Sequence, residues 1–200
     1  MQTQKNTTPN SFFKIQDEQT AIEFNKEVFN GHFGLIYDQV HSHTRFNSNQ
    51  YNNVKKRDDI NNILEKIGSG QLKLLDLGCG TGNISQYFYE FSEGAEIFNV
   101  DISELMLDKL KAKINAVDID RSFFICSDAL SFLAETQETF DVIACAGALH
   151  HFYDYIAVVD VMCKKIKPGG FLYIALEPIK ENNLLGGYVL KVIRNLDKTL

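Results

Sequence analysis

Short apolar runs alternate with amphipathic segments through most of the chain after Gly70. The runs predict strands at Leu72 to Leu77, Glu96 to Val100, Ser122 to Cys126, Phe140 to Ala146 and Phe171 to Leu176. Helical spacing predicts helices near Ile84 to Phe91, Glu104 to Ile114, Ser131 to Glu135 and Tyr153 to Ile166, and the turn Pro168 to Gly170 follows. Alternating strands and helices, with strands that are apolar on both faces, predict a doubly wound, Rossmann-like α/β fold with a parallel sheet in three layers, α/β/α.

The first fifty residues have a different pattern, rich in Asn, Gln, Thr, His and Phe. Apolar residues between Ile22 and Tyr37 recur at roughly helical intervals, which predicts a frayed start followed by short helices. A further amphipathic helix is predicted from Tyr51 to Ile67, and Gly68 to Gly70 stop it. We therefore divide the chain into an N-terminal segment, 1–50, and an α/β domain, 51–200.

Composition and charge exclude several classes of protein. The chain has 200 residues, 44% hydrophobic, which suits one globular domain. A net charge of −6, with no long Lys/Arg stripe, disfavours a nucleic-acid partner. The longest apolar run, Val142 to Leu149, is too short to span a membrane. The polar first twenty residues show no signal or transit peptide, so a cytoplasmic location is expected.

Cysteine and histidine spacing predicts neither disulfides nor a metal site. Four cysteines lie singly in apolar segments, with no CxxC pair: Cys79, Cys126, Cys145 and Cys163. Reduced, buried thiols fit this pattern better than a disulfide framework. Three histidines, His32, His41 and His43, lie in a segment that has no nearby Cys or paired carboxylates. Solvated chain is the preferred interpretation, and no metal is assigned.

A glycine-rich loop follows the first predicted strand. Asp76 is followed by glycines at +2, +4 and +6, namely Gly78, Gly80 and Gly82, and a helix comes next. Glycines let the backbone turn tightly and approach a ligand closely. Asp101 closes the next strand, where an acid can hold two ribose hydroxyls. The spacing differs from the dinucleotide fingerprint GxGxxG, and Asp76 would repel a pyrophosphate. A ligand with an ammonium or a sulfonium fits better, which disfavours a nicotinamide-dependent oxidoreductase.

The segment from about Leu72 to Pro178 resembles the class I S-adenosylmethionine-dependent methyltransferases. Five motifs occur in the family's order: Leu75 to Gly82, Val100 to Ser103, Ser127 to Ala129, Phe140 to Ala146 and Lys167 to Gly170. The resemblance implies S-adenosyl-L-methionine as cofactor and a set of residues that bind it. These are Asp76 with Gly78, Cys79, Gly80 and Gly82 near the methionine part, Asp101 on the ribose, Ile102 against the adenine, Asp128 and Ala129 at the adenine edge, and Ala146 beside the methionine or methyl group.

The run Ala148 to Phe152 after the fourth strand resembles members that methylate small molecules, including quinone-type rings. Nucleic-acid amino methyltransferases often carry Asn-Pro-Pro-aromatic at this position, so base methylation is disfavoured. We predict methyl transfer to a small-molecule acceptor by in-line displacement, which needs mainly alignment of the nucleophile. His150 or His151 is the candidate general base, while a helix cap or a packing role is the alternative for each. The alternative function is a catalytically silent, methyltransferase-like binding or scaffold protein.

Both ends of the chain carry further expectations. Small-molecule members often build the acceptor pocket from helices before the first strand, so lid helices are expected within residues 1–50. Tyr37 and Arg45 are candidate lid residues, and a core position is the more common alternative for an aromatic residue such as Tyr37. Glu177 ends the fifth predicted strand on the ligand side and could contact substrate, but a simple exit turn is the preferred interpretation. After Pro178, apolar residues at helical spacing from Leu184 to Leu196 predict one helix. The family's last two strands are then missing, and the exposed fifth strand predicts a homodimer, another covering surface or a truncated product.

Overall fold

The computed structural model describes residues 17–43, 46–177 and 192–195. The described strands form a six-stranded sheet with the order β3-β2-β1-β4-β5-β6. Their bounds are β1 Lys73–Leu77, β2 Glu96–Asp101, β3 Ser122–Cys126, β4 Phe140–Ala146, β5 Ile166–Ala175 and β6 Val192–Asn195. Neighbours among β1 to β5 are parallel, and β6 is antiparallel to β5. The predicted doubly wound α/β fold is confirmed.

The described helices lie before the sheet and in its crossovers: α1 Glu18–Asn30, α2 His32–His43, α3 Phe46–Ile67, α4 Ser85–Phe91, α5 Glu104–Lys111, α6 Ala116–Asp120, α7 Ala129–Glu135 and α8 Tyr155–Lys165. Side-chain caps fix where several of them begin. Ser103 accepts from the backbone N–H of Met106 at the start of α5, and Asp128 accepts from that of Ser131 at the start of α7. The short helix α6 was not expected from the sequence.

Alternation along the strands supplies two apolar faces. Leu75 and Leu77 of β1 pack in the cluster that contains Leu133 of α7 and Met162 of α8. Leu74, on the other face of β1, packs in the cluster with residues of α3 and α4. Both faces of the sheet are therefore covered by helices, which gives the three layers expected.

The outer edge of β5 is covered by this chain itself. β6 pairs with it from Phe171↔Asn195 to Ile174↔Val192. The expectation of a helix is wrong at residues 192–195, and so is the expectation that β5 forms an open edge. Main-chain pairing explains both corrections, because an apolar edge strand is stabilised by a partner strand. The reason for expecting a homodimer or another cover at this edge is thereby removed; residues 178–191 and 196–200 lie outside the described residues.

Three smaller findings complete the fold. The turn expected at Pro168 to Gly170 lies inside β5, where the pairing with β4 shifts register between Phe140 and Val142. All four cysteines are free thiols: Cys79 and Cys145 are buried as expected, Cys163 is only partly buried, and Cys126, at the end of the outer strand β3, is exposed. None of the helices in the described ranges has the length and apolar character needed to cross a membrane.

Candidate functional site

A cavity of about 580 Å³ lies at the carboxyl ends of β1, β2 and β4. Strand order reverses between β1 and β4, which is where ligands bind in open α/β sheets. The volume is in the range of small-molecule sites. Seven of the predicted cofactor residues line this cavity: Gly78, Gly80, Asp101, Ile102, Asp128, Ala129 and Ala146. His150 and His151 line it as well.

The glycine loop is held close to the second strand and to the segment after β4. The backbone N–H groups of Gly78 and Cys79 both donate to the carbonyl of Val100, at 2.8 and 3.0 Å. Gly78 has a φ of +69°, and a Cβ at this position would lie 2.5 Å from the Cβ of Ala148. Glycine is therefore required at residue 78 by backbone conformation and by space.

Asp101 faces the cavity with a carboxylate that the backbone has oriented. Its Oδ2 accepts from the N–H of Gly80 at 2.8 Å, and its Oδ1 accepts from the N–H of Ser103 at 2.9 Å. Burial raises the pKa of Asp101, and these backbone donors oppose that rise. Each carboxylate oxygen has a second lone pair, so the group can still accept from a pair of hydroxyls.

Asp76, Cys79 and Gly82 are predicted cofactor residues that do not belong to the cavity lining. Asp76 is 2% exposed, and its Oδ2 accepts from the N–H and the Oγ of Ser85 at 2.9 and 2.6 Å. Burial raises the pKa of Asp76 to about 6, against the effect of the Ser85 donors. Cys79 packs in a cluster with Leu110, and a Cβ on Gly82 would lie 2.5 Å from that leucine. Asp76, Cys79 and Gly82 therefore stabilise the glycine loop on the side away from the cavity.

Lys56 is a buried lysine at the cavity, and the sequence patterns did not single it out. It lies on α3, is 5% exposed and lines the cavity. Burial lowers the pKa of Lys56 to about 8, while the charge of Asp76 raises it. None of the hydrogen bonds or ion pairs within the described residues involves its ammonium group. The ammonium of a lysine that lies at a cavity without an ion pair is suited to an anionic group of a ligand.

Glu177 is buried, and its carboxylate organises the segment that carries both histidines. Oε1 accepts from the N–H groups of Ala148 and Leu149 at 3.1 and 3.0 Å, and Oε2 accepts from that of His150 at 3.0 Å. Nδ1 of His150 also lies 2.8 Å from Oε2. Burial opposes ionisation, but the donors from His150 and Leu149 outweigh it and lower the pKa of Glu177. The exit-turn interpretation of Glu177 did not anticipate this role, because three backbone N–H groups and the ring of His150 converge on its side chain.

The two histidines have different surroundings. The ring of His151 packs edge-to-face on Phe29, with centroids 5.3 Å apart, and lies 4.1 Å from the ring of His150. Burial, helped by His150, lowers the pKa of His151 to about 4, so its ring is neutral near pH 7. The sequence alone left the two histidines equivalent.

Helices α1 and α2 form a wall of the cavity. Asn25 donates from Nδ2 to the carbonyl of His151 at 2.9 Å, and Asn30 accepts from Oγ of Ser103 at 2.8 Å. Lys109 donates to the carbonyl of Gly34 at 2.7 Å. Tyr37, a candidate lid residue, lines the cavity, and Arg45 lies outside the described residues.

Comparisons with known proteins agree with this geometry. Residues 75–174, half of the chain, match the methyltransferase domain family. The ubiquinone biosynthesis O-methyltransferase of Idiomarina loihiensis is 35% identical over 104 residues, 52% of this chain and 41% of that protein. An uncharacterized methyltransferase of Schizosaccharomyces pombe is 29% identical over 123 residues, 58% of this chain and 42% of that protein. The chain spans about two fifths of the length of these relatives.

Among solved structures, the magnesium protoporphyrin IX methyltransferase of Synechocystis with bound S-adenosylmethionine has the same fold. The TM-score is 0.61 at 19% identity, over 79% of this chain and 76% of that one. The match of half the chain to the family, the shared fold and the order of the motifs confirm the resemblance inferred from the sequence. This chain belongs to the class I S-adenosylmethionine-dependent methyltransferases.

Proposed function

We propose that this chain transfers the methyl group of S-adenosylmethionine to a hydroxyl on a small aromatic molecule. The observation that carries the proposal is the placement of Asp101, Lys56 and His150 around one cavity. The acid is suited to a sugar, the lysine to a carboxylate, and the histidine to the proton of the acceptor.

The cavity residues fit the cofactor's parts. Asp101 would accept from the two ribose hydroxyls, and the ammonium of Lys56 would pair with the carboxylate of the methionyl group. Ile102, Asp128 and Ala129 would hold the adenine end, while Gly78, Gly80 and Ala146 would border the methionine part. Asp76, Cys79 and Gly82 keep the loop in shape. When bound, S-adenosylmethionine supplies a methyl group activated by its sulfonium.

His150 is the better candidate for the general base. It lines the cavity, with Nδ1 on Glu177 and Nε2 on the opposite side of the ring. His151 forms part of the wall, because its ring packs on Phe29 and its carbonyl accepts from Asn25. A phenolic hydroxyl aligned with the methyl group donates its proton to His150 as the oxygen attacks.

The lining favours an uncharged aromatic acceptor. Four aromatic residues are among those that line the cavity: Phe29, Phe33, Phe152 and Tyr153. Among its described lining residues, Lys56 is the only Lys or Arg, and the proposed ion pair with the cofactor's carboxylate would engage it. The name of the Idiomarina relative, an O-methyltransferase of ubiquinone biosynthesis, supports an aromatic hydroxyl as the acceptor group. A nucleic-acid acceptor remains disfavoured by the net charge of −6, and a cytoplasmic location stays a prediction.

Methyl transfer can be tested directly with catechol and 4-nitrocatechol as acceptors. The purified chain is incubated with S-adenosylmethionine labelled in the methyl group, and labelled product is measured. We expect turnover that falls about 10²- to 10⁴-fold in His150→Gln, with unchanged affinity for S-adenosylhomocysteine. Unchanged turnover in both His150→Gln and His151→Gln removes the base assignment. Cofactor binding with no product from these phenols or from a cellular metabolite extract would support the silent alternative instead.

A further inference from the structure

We propose that Glu177 is a positioning residue, which holds His150 as the Nδ1–H tautomer and so leaves Nε2 to accept the proton of the acceptor. This inference rests on the proposed function for its catalytic consequence. The tautomer itself follows from the geometry of the side chains.

Hydrogen-bond chemistry assigns the proton to Nδ1. A carboxylate can only accept, and Oε2 of Glu177 lies 2.8 Å from Nδ1 of His150. The donors at His150 and Leu149 lower the pKa of Glu177 against its burial, so this group is an ionised acceptor near neutral pH. Nδ1 must therefore carry the hydrogen, and a neutral imidazole then has its lone pair on Nε2.

The backbone contacts fix the ring's position as well as its tautomer. Oε2 accepts from both the backbone N–H and the ring of His150, while Oε1 accepts from Ala148 and Leu149. Glu177 is 5% exposed, and these donors lie 27 to 29 residues earlier in the chain. One carboxylate thus joins the end of β5 to the segment after β4 and holds the Nδ1 edge of the imidazole.

Methyl transfer with His150 as the base needs no reactant besides the acceptor and S-adenosylmethionine. The acceptor oxygen bonds to the methyl carbon, and the carbon–sulfur bond breaks with its electron pair left on sulfur. The hydroxyl proton moves to Nε2 of His150, which becomes an imidazolium. Glu177 keeps its acceptor role at Nδ1–H and stabilises that positive charge without taking a proton. Nε2 then releases the proton to solvent.

Nitrogen NMR tests the tautomer without any acceptor. The chain is labelled with ¹⁵N-histidine and saturated with S-adenosylhomocysteine, and His150→Gln identifies the His150 signals. We expect a protonated Nδ1 and an unprotonated Nε2 in the wild type and in Glu93→Gln, an exposed control. Glu177→Gln offers one acceptor oxygen to four donors, so we expect its Nε2–H form to be populated. A wild-type spectrum with Nε2–H, or an unchanged tautomer in a folded Glu177→Gln, overturns the proposal; the wild-type spectrum decides even if the variant does not fold.

Kinetics then separate a positioning role from a merely structural one. With catechol, Glu177→Gln should lower kcat by about 10-fold or more, up to the loss seen in His150→Gln. The decrease in kcat should be smaller with 4-nitrocatechol, because its more acidic hydroxyl depends less on a general base. In a His150→Gln background, Glu177→Gln should change kcat less than twofold, and an undiminished loss there overturns the proposal. Absence of turnover on both catechols would contradict the proposed aromatic acceptor, whereas the NMR result stands separately.

Discussion

The backbone N–H of Gly80 donates to Oδ2 of Asp101 at 2.8 Å, across 21 residues of sequence. The glycine loop after β1 and the acid at the end of β2 are therefore one unit. Asp101 shapes the loop with one lone pair on Oδ2 and has others available toward the cavity. The proposed contact of Asp101 with the ribose can be tested with a substitution that preserves the shape of the side chain.

Asp101→Asn should weaken binding of S-adenosylhomocysteine and of 5′-methylthioadenosine by about 10- to 100-fold. The amide has one acceptor oxygen where the carboxylate has two, and hydrogen bonds to a charged group are worth about 1.5–3 kcal/mol. Isothermal titration calorimetry measures both affinities. The exposed Asp120 supplies the control Asp120→Asn, which should bind as the wild type does. Equal affinities in Asp101→Asn and the wild type would contradict the ribose assignment.

Lys56→Met should weaken S-adenosylhomocysteine by about 10-fold or more and leave 5′-methylthioadenosine within about twofold. Only the first ligand has the carboxylate that pairs with the ammonium, and charge-assisted bonds of this kind are worth about 1.5–3 kcal/mol. Lys66→Met, at an exposed position of the same helix, is the matched control. An equal loss of affinity for both ligands would mean that Lys56 maintains the structure of the cavity and does not pair with the carboxylate.

The same lysine predicts a pH dependence of binding. Burial lowers the pKa of Lys56 to about 8. As pH rises through this value, the free protein loses the ammonium, so the affinity for S-adenosylhomocysteine should fall above about pH 8. Affinity for 5′-methylthioadenosine should change little over the same range. Calorimetry from about pH 7 to about pH 9.5 compares the two ligands, and identical profiles would refute the pairing.

Gly78→Ala should destabilise the chain more than Gly94→Ala does. Both glycines have positive φ, +69° and +78°, which costs an alanine about 1–2 kcal/mol. A Cβ at Gly78 also meets the Cβ of Ala148 at 2.5 Å, whereas nothing lies within 4 Å of a Cβ at Gly94. The clash should add about 1–3 kcal/mol to the loss of unfolding free energy. Urea denaturation measures both variants, and equal losses would show that the loop relaxes without strain.

His151 predicts a loss of stability in acid. Its folded pKa of about 4 lies below the ordinary value of 6.5, so between these values the unfolded chain binds more protons. The free energy of unfolding should therefore fall as pH is lowered from about 6.5 to about 4. In His151→Gln this part of the slope should disappear, and in the control His32→Gln, at an exposed position, it should persist. Urea denaturation at about pH 7, 6 and 5 gives the slopes; equal slopes in wild type and His151→Gln would contradict the buried, neutral ring.

The pattern of the chain predicted the sheet, and it predicted that residues at the ends of several strands lie at one cavity, because both depend on local signals. β1 is an apolar run that ends in glycines, and Asp101 ends the next such run. The carboxyl ends of parallel strands meet at one edge, so strand-end residues can be assigned to a common site before their contacts are known.

The remaining parts depend on contacts between distant segments. Glu177 follows β5 in a sequence typical of an exit turn, and only the fold brings it to the N–H groups of residues 148–150. Lys56 lies on the largely polar helix α3, and tertiary packing buries this lysine. Ile193 continued a helical pattern in the sequence but lies in β6, because pairing with β5 outweighs local periodicity.

The most direct test of the account is calorimetric titration of the wild-type chain with S-adenosylhomocysteine, with NAD⁺ as the comparison ligand. We expect saturable binding of one S-adenosylhomocysteine per chain and no binding of NAD⁺, because the loop after β1 has the spacing GxGxG and not the dinucleotide fingerprint GxGxxG. A folded chain that gives no saturable heat with S-adenosylhomocysteine, or that binds NAD⁺ in its place, would contradict it.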